Sequence, residues 1–303
     1  MEKRLSQRVA WVTGSSRGIG RVIADHLASL GADVIIHGTT PTSTRQLNEA
    51  NSLSAVAEEI SEKHKVQVRA VHGDLTKQEV VMDIVSEIRT HFGRIDILIN
   101  NAGIMFHPNT ILKNGMNITF FVNYIGYYFL SLKLIDLLEK NSNSKIINVS
   151  SISSYGVKKL DWKFFNPDIK NNSLSLKREL YSYTNLFRLM FSIELSKRLK
   201  KKNYKTISVA CHPGVVKSNL GRYVFISKLI YKLPILPPTI VGVAPIYESL
   251  VNPDLTGGEF IGFDTKNQWK GSPKIVDPNP LCNDDFLRNS LWEKTSKLTG
   301  INL

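Results

Sequence analysis

Short apolar runs alternate with longer amphipathic stretches over the first two-thirds of the chain. RVAWVT (8–13), ADVIIH (32–37), VQVRAV (66–71), IDILIN (95–100), KIINVS (145–150) and TISVAC (206–211) are rich in β-branched residues, which predicts strands. Their apolar residues run on rather than alternate, the pattern of strands covered on both faces. Between them lie helical stretches at about 18–30, 47–63, 77–91, 116–139 and 180–200. Strand–helix alternation on this scale predicts an α/β fold. The expected form is a single-domain Rossmann-type, doubly wound parallel sheet with helices on both faces.

Two stretches break the rhythm. The polar KKLDWKFFNPDIKNNSLSLKRE (158–179) reads as an insertion after the fifth strand. The apolar, proline-interrupted VFISKLIYKLPILPP (224–238) falls inside a lid-like segment at about 220–250. With no repeat and no linker, residues 1–303 are expected to form one domain that ends in a tail over 264–303.

Composition narrows the function classes. The 42% hydrophobic and 21% charged content is that of a soluble globular chain. Cys211 and Cys282 are too few for a disulfide framework and show no metal-ligand spacing, so reduced thiols and no metal are expected. The net charge of +13 raises the question of nucleic acid. Basic runs such as KRLKKKNYK (197–205) carry no aromatic-interleaved or zinc-finger pattern, so they read as a solvated helix end and no nucleic-acid partner is expected. Neither a signal peptide nor an unbroken run of ~18 apolar residues is visible, and a cytoplasmic protein is expected.

The chemistry gathers at the ends of the predicted strands. In VTGSSRGIG (12–20), Gly14, Gly18 and Gly20 close a strand and open a helix. A Cβ there would keep the backbone from a diphosphate, and the helix start offers unpaired N–H groups. GDL (73–75), NNAG (100–103), KIINVSSIS (145–153) and HPGVVKSNL (212–220) follow at later strand ends. With YSYTNLFRLMFSIELSKRL (181–199), these motifs resemble the short-chain dehydrogenases/reductases over nearly the whole chain.

That resemblance implies a dinucleotide cofactor held by Gly14, Ser16, Arg17, Gly18, Ile19 and Gly20. Asp74, with Leu75, would meet the adenine, and Asn101, Ala102 and Gly103 would wall the site. Pro213, Gly214, Val216 and Ser218 would contact the nicotinamide carboxamide and phosphate. At the end of the second strand, His37-Gly38-Thr39-Thr40 contains no acid to hold a ribose 2′-hydroxyl. Arg17 matches the basic position of NADP-using relatives. NADP(H) is therefore preferred, with Thr39 beside it and NAD(H) as the alternative.

For catalysis the resemblance implies Ser151 to orient the substrate oxygen, Tyr181 to pass the proton and Asn123 to hold a linking water. It also implies a lysine four residues after the tyrosine, where this chain has Asn185. A cation beside a phenol favours the phenolate. Losing it handicaps alcohol oxidation more than carbonyl reduction, which uses the protonated phenol. Asn185 could still hydrogen-bond the nicotinamide ribose through its amide. Lys159 and Lys177 are candidate compensating cations. The literal YxxxK pair Tyr155–Lys159 lies too soon after Ser151 to be the active pair.

The 30-residue gap from Ser151 to Tyr181, the HPGVV turn and the tail LWEKTSKLTGI (291–301) resemble the retinol-dehydrogenase-like branch. The N-terminal TGSSRGIGRVIADHLASLGADV is as similar to ketoacyl-carrier-protein reductases, whose Ser–Tyr gap is shorter. The first branch implies a lipophilic aldehyde, ketone or alcohol as small-molecule substrate. Residues 224–238, with Lys228 and Lys232, would line an apolar pocket, touch a membrane surface or simply pack. A homodimer through the helices carrying Asn123 and Tyr181 is implied by analogy. The rival reading is a dinucleotide-binding protein with weakened turnover that senses or scaffolds.

Overall fold

All six predicted strands are present in the computed structural model, as β1 (Val9–Val12), β2 (Asp33–Gly38), β3 (Val68–His72), β4 (Ile97–Asn100), β5 (Lys145–Val149) and β6 (Ile207–Cys211). Two more, β7 (Phe260–Phe263) and β8 (Pro273–Ile275), come from the C-terminal part of the chain. The structure describes residues 4–47, 49–108, 111–167, 173–218, 220–221, 223–224, 233 and 235–303. Among these, the strands make one sheet in the order β3-β2-β1-β4-β5-β6-β7-β8, parallel except for β8, which runs antiparallel to β7. The chain winds outward from β1 to β3, then crosses to build β4–β7 on the other side. The carboxyl ends of β1 and β4 therefore flank the switch point where open α/β sheets bind ligands.

The helices are α1 (Gly18–Ser29), α2 (Leu53–His64), α3 (Gln78–Phe92), α4 (Ile118–Phe120), α5 (Gly126–Lys133), α6 (Ile135–Leu138), α7 (Leu174–Lys201), α8 (Ala244–Val251) and α9 (Asp285–Thr299). Successive strand residues face opposite sides of a sheet. Trp11, Leu98 and Ile146 thus enter a core with α3, α5 and α7, while Val12, Ile99 and Ile147 enter one with α1, α2 and α8. Among the described residues, no helix is long and apolar enough to cross a membrane.

Several expectations need correction. The run VQVRAV reads as a strand covered on both faces, but β3 is the sheet edge. Val71 is its one buried residue, and Arg69 reaches out to Glu87 at 2.7 Å. The helix expected over 47–63 begins at Leu53, because the Ser52 side chain accepts from Ala55 N at 3.1 Å and caps it there. In the same way Ser173 caps α7 at Leu176 N (3.1 Å) and starts it earlier than its apolar spacing implies. The helix expected over 116–139 is interrupted by a π turn at Phe121–Ile125 and by a break at Leu134. The polar insertion is also an anchor. Phe164 is buried, and the Phe165 ring centroid lies 4.9 Å from that of Phe120 and 5.9 Å from that of Phe187. Most of the expected lid at 224–238, with Lys228 and Lys232, lies outside the described residues.

The tail folds back as α9. Trp292 packs between Tyr128 and Phe191 at 5.0 and 6.0 Å, and Thr295 meets the Tyr124 hydroxyl at 2.6 Å. α9 thereby covers part of the helix pair through which two copies were expected to associate.

Candidate active site

The glycine turn after β1 is locked to the turn after β4. The Thr13 hydroxyl accepts from Asn101 N and Ala102 N at 2.9 and 3.0 Å, and Asn101 Nδ2 donates to Thr13 O at 2.8 Å. Gly14 has φ +65°, and a Cβ on it would stand 2.9 Å from Ala102 Cα. A Cβ on Gly20 would meet the Gly14 carbonyl oxygen at 2.4 Å. Only glycine leaves the start of α1 this close to the strand ends. These features fit a dinucleotide diphosphate.

Two histidines, neither singled out from sequence, brace the cofactor turns. His37 Nδ1 accepts from Gly14 N at 3.2 Å while Nε2 donates to Gly73 O at 3.0 Å. His212 does the same from β6: Nδ1 accepts from Gly214 N at 3.1 Å and Nε2 donates to Gln268 Oε1 at 2.8 Å. Burial lowers both, to about 4, so each is the neutral imidazole its two partners require. The signal in the sequence was a histidine one residue past each apolar run.

The other expected cofactor residues lie along the same edge. Asp74 Oδ1 accepts from Thr76 N and Oγ1 at 3.0 and 2.8 Å, which fixes the carboxylate at the end of β3 beside Leu75. Gly103 follows Ala102, and a Cβ on it would meet the Arg188 side chain at 3.1 Å. Val216 is buried behind Pro213 and Gly214, and Ser218 Oγ accepts from Leu220 N at 3.4 Å. Ser16 N donates to His37 O at 3.0 Å, and Ile19 lies in the first turn of α1. The Arg17 guanidinium donates to Ser43 O, and Thr39 is exposed just beyond β2. One acid approaches from farther along the chain than the sequence scan reached: Glu49 accepts from Gly18 N at 3.0 Å and lies 3.8 Å from Arg21. Among the described residues no cluster of metal-binding side chains occurs.

Beyond β5, half-buried Ser151 caps the 3₁₀ turn Ile152–Gly156, its hydroxyl accepting from Ser153 N at 3.2 Å. That turn packs on α7 close to Asn185: Ser150 Oγ donates to Asn185 O at 2.9 Å, and Asn185 Nδ2 donates to Ser153 Oγ at 3.2 Å. Tyr181 is half-buried one turn earlier on α7. Asn185 is fully buried, and its second amide hydrogen goes to Tyr181 O at 2.8 Å. Both of its donors are thus spent within the protein. Asn123 sits in the π turn, where its side chain exchanges two 2.9 Å hydrogen bonds with the Ile104 backbone. A π turn holding a polar side chain is a frequent mark of a functional site.

Sequence reasoning missed Arg188. Its guanidinium donates to Asn185 Oδ1 at 3.0 Å, to Val149 O at 3.1 Å, to Ala102 O at 3.4 Å and to Asn123 O. It lies 4.4 Å from the Tyr127 ring centroid and is 4% exposed. Its one signal was a charge amid the apolar FRLMF of α7. Of the lysines offered as compensating cations, Lys159 is exposed and Lys177 lies in the first turn of α7, one turn before Tyr181. Tyr155 belongs to the tail contact, its hydroxyl donating to Asp277 O at 2.6 Å.

A doubly wound parallel sheet with a glycine turn at its switch point defines a dinucleotide-binding type of fold. The chain matches the short chain dehydrogenase family over residues 8–160, just over half its length, and belongs to that family. It is 28% identical to retinol dehydrogenase 13 of Homo sapiens, over 96% of this chain and 84% of that protein. It is 27% identical to polyprenol dehydrogenase of Homo sapiens, over 97% of this chain and 86% of that protein. Among solved structures, an uncharacterized protein from Mycobacterium paratuberculosis superposes with a TM-score of 0.76 at 23% identity, covering 99% of this chain and 96% of that one. A short-chain dehydrogenase from Sphingobium yanoikuyae in complex with NADPH superposes with a TM-score of 0.61 at 20% identity, covering 80% and 84%.

Proposed function

We propose that the protein is an NADP(H)-dependent oxidoreductase that interconverts a lipophilic alcohol and its aldehyde or ketone. The observation that carries this reading is the packing of the Ser151 turn on α7 at Asn185, one helical turn beyond Tyr181. The bound cofactor would supply or accept the hydride at the substrate carbon. Ser151 would hold the substrate oxygen, and Tyr181 would give it a proton in reduction and take one in oxidation. Arg17, whose guanidinium donates to Ser43 O beyond β2, favours NADP(H), because a guanidinium there suits a 2′-phosphate. The names of the two human relatives support a lipophilic substrate, as do exposed Leu233, Ile235 and Ile240 within the expected lid segment. The same residues would serve contact with a membrane surface.

The test pairs binding with turnover. NADPH and NADH are titrated by fluorescence, and reduction is then assayed on straight-chain and retinoid aldehydes and on ketones. Turnover that Tyr181→Phe and Ser151→Ala each lower by at least about a hundredfold is expected. A second reading, a dinucleotide-binding protein with little catalysis, is favoured by the neutral Asn185. It predicts tight NADPH binding with no turnover on any member of the panel.

A further inference from the structure

Arg188 combines three properties that a bracing residue does not need together. It is almost fully buried, it makes no ion pair among the described residues, and every acceptor it meets is neutral. Guanidinium does not give up its proton in proteins. The charge is therefore permanent, and the surrounding oxygens lower its desolvation cost without cancelling it. An unbalanced buried cation stabilises any anion that forms nearby.

The local geometry says where. Helix side chains lean toward the N-terminus, so Arg188 reaches back along α7 toward Tyr181, as its 3.0 Å bond to Asn185 Oδ1 shows. Asn185 in turn ties to Ser153 and to the Tyr181 carbonyl, and the Asn123 carbonyl and the Ala102 turn close the other sides. Tyr127 lies against the guanidinium. Burial raises its hydroxyl, and Arg188 lowers it.

We propose that Arg188 is the cation of this active site, set one helical turn farther along α7 than position 185, where it positions Asn185 and stabilises negative charge developing on the Tyr181 oxygen. The inference rests on the oxidoreductase reading. In oxidation the Tyr181 phenolate takes the proton of the substrate hydroxyl and becomes neutral while a hydride passes from the carbinol carbon to the oxidised nicotinamide. Reduction is the reverse. Arg188 touches neither substrate nor cofactor and is a positioning residue.

Three variants test this against the wild type: Arg188→Gln, Asn185→Lys, and the two combined. Each is assayed with NADPH and the best aldehyde of the panel, with NADPH affinity and Tm measured alongside. Arg188→Gln should lower kcat by about tenfold or more, with KM and NADPH affinity changed by less than about threefold. The double variant should regain most of the lost kcat, because an ammonium at 185 restores the charge. A purely structural arginine would not be rescued that way. Asn185→Lys alone should gain no kcat and should lose Tm, since it sets two buried cations together. The proposal is overturned by full kcat in Arg188→Gln, by no rescue in the double variant, or by a tenfold gain in Asn185→Lys alone. If Arg188→Gln does not fold, the other two variants still decide. A wild type that binds NADPH but turns over nothing overturns the oxidoreductase reading and this inference together, whereas an active wild type with an indifferent residue 188 overturns only the inference.

Discussion

Glu49 brings a negative charge to the first turn of α1, where the partial positive charge of the helix is concentrated. A phosphate-bearing ligand arriving there meets a carboxylate already on Gly18 N. On this geometry Glu49→Gln should tighten NADPH binding several-fold and NADH binding less, because NADPH carries one more phosphate. Fluorescence titration of both cofactors measures it. Equal or weaker NADPH binding in the variant would remove Glu49 from the competition. Legibility was uneven at this scale. Gly14 and Gly20 could be read because their neighbours exclude a side chain. Glu49 and Arg188 could not, since each reaches the site across a fold that had first to be known. Arg188 stood in the sequence only as a charge out of place in an apolar helix.

Single elements explain how the cofactor turns keep their shape. Near the carboxyl ends of β2 and β6 stand buried histidines whose Nδ1 accepts a glycine N–H: His37 from Gly14 in the turn after β1, and His212, one residue past β6, from Gly214 in the turn that follows. Protonation would set N–H against N–H. In the folded chain both titrate at about 4, against 6.5 for an ordinary imidazole. The unfolded chain therefore takes up these protons first as the pH falls. Stability is full above about pH 6.5 and is lost progressively down to about pH 4, by up to ~3 kcal/mol for each histidine. Tm should fall over that window, and a variant carrying His37→Asn and His212→Asn should begin lower but show a flatter slope. An unchanged slope would contradict the assignment. The same two strands, with β1, β4 and β5, were legible because burial on both faces makes a continuous apolar run. β7 was not: a glycine breaks the apolar run of FIGF, and β8 offers only PKI. These two form because β6 and β7 present edges to pair with, information no local pattern carries.

Across the whole molecule, the tail does work that its polar composition hides. α9 seals the outer face of α5 and α7, and Trp292 fills the space between Tyr128, Phe191 and the Arg198 guanidinium, which stands 4.3 Å from its ring centroid. Trp292→Ala should cost about 3–5 kcal/mol, the usual range for emptying a buried aromatic site. The loss would appear in chemical denaturation, with NADPH affinity unchanged, because the cofactor edge lies on the far ends of the strands. Weakened NADPH binding in a folded variant would show that the tail shapes the site as well. The overall architecture was legible from periodicity alone, whereas the tail's place was not, since its contacts join residues more than a hundred positions apart.

The measurement that bears most directly on the central claim is deuteride transfer from NADPH labelled at the nicotinamide C4, followed by mass spectrometry of the alcohol formed from the aldehyde and ketone panel. The account predicts deuterium on the carbinol carbon with wild-type protein and its loss with Tyr181→Phe. Bound NADPH that keeps all its label against every carbonyl would contradict it.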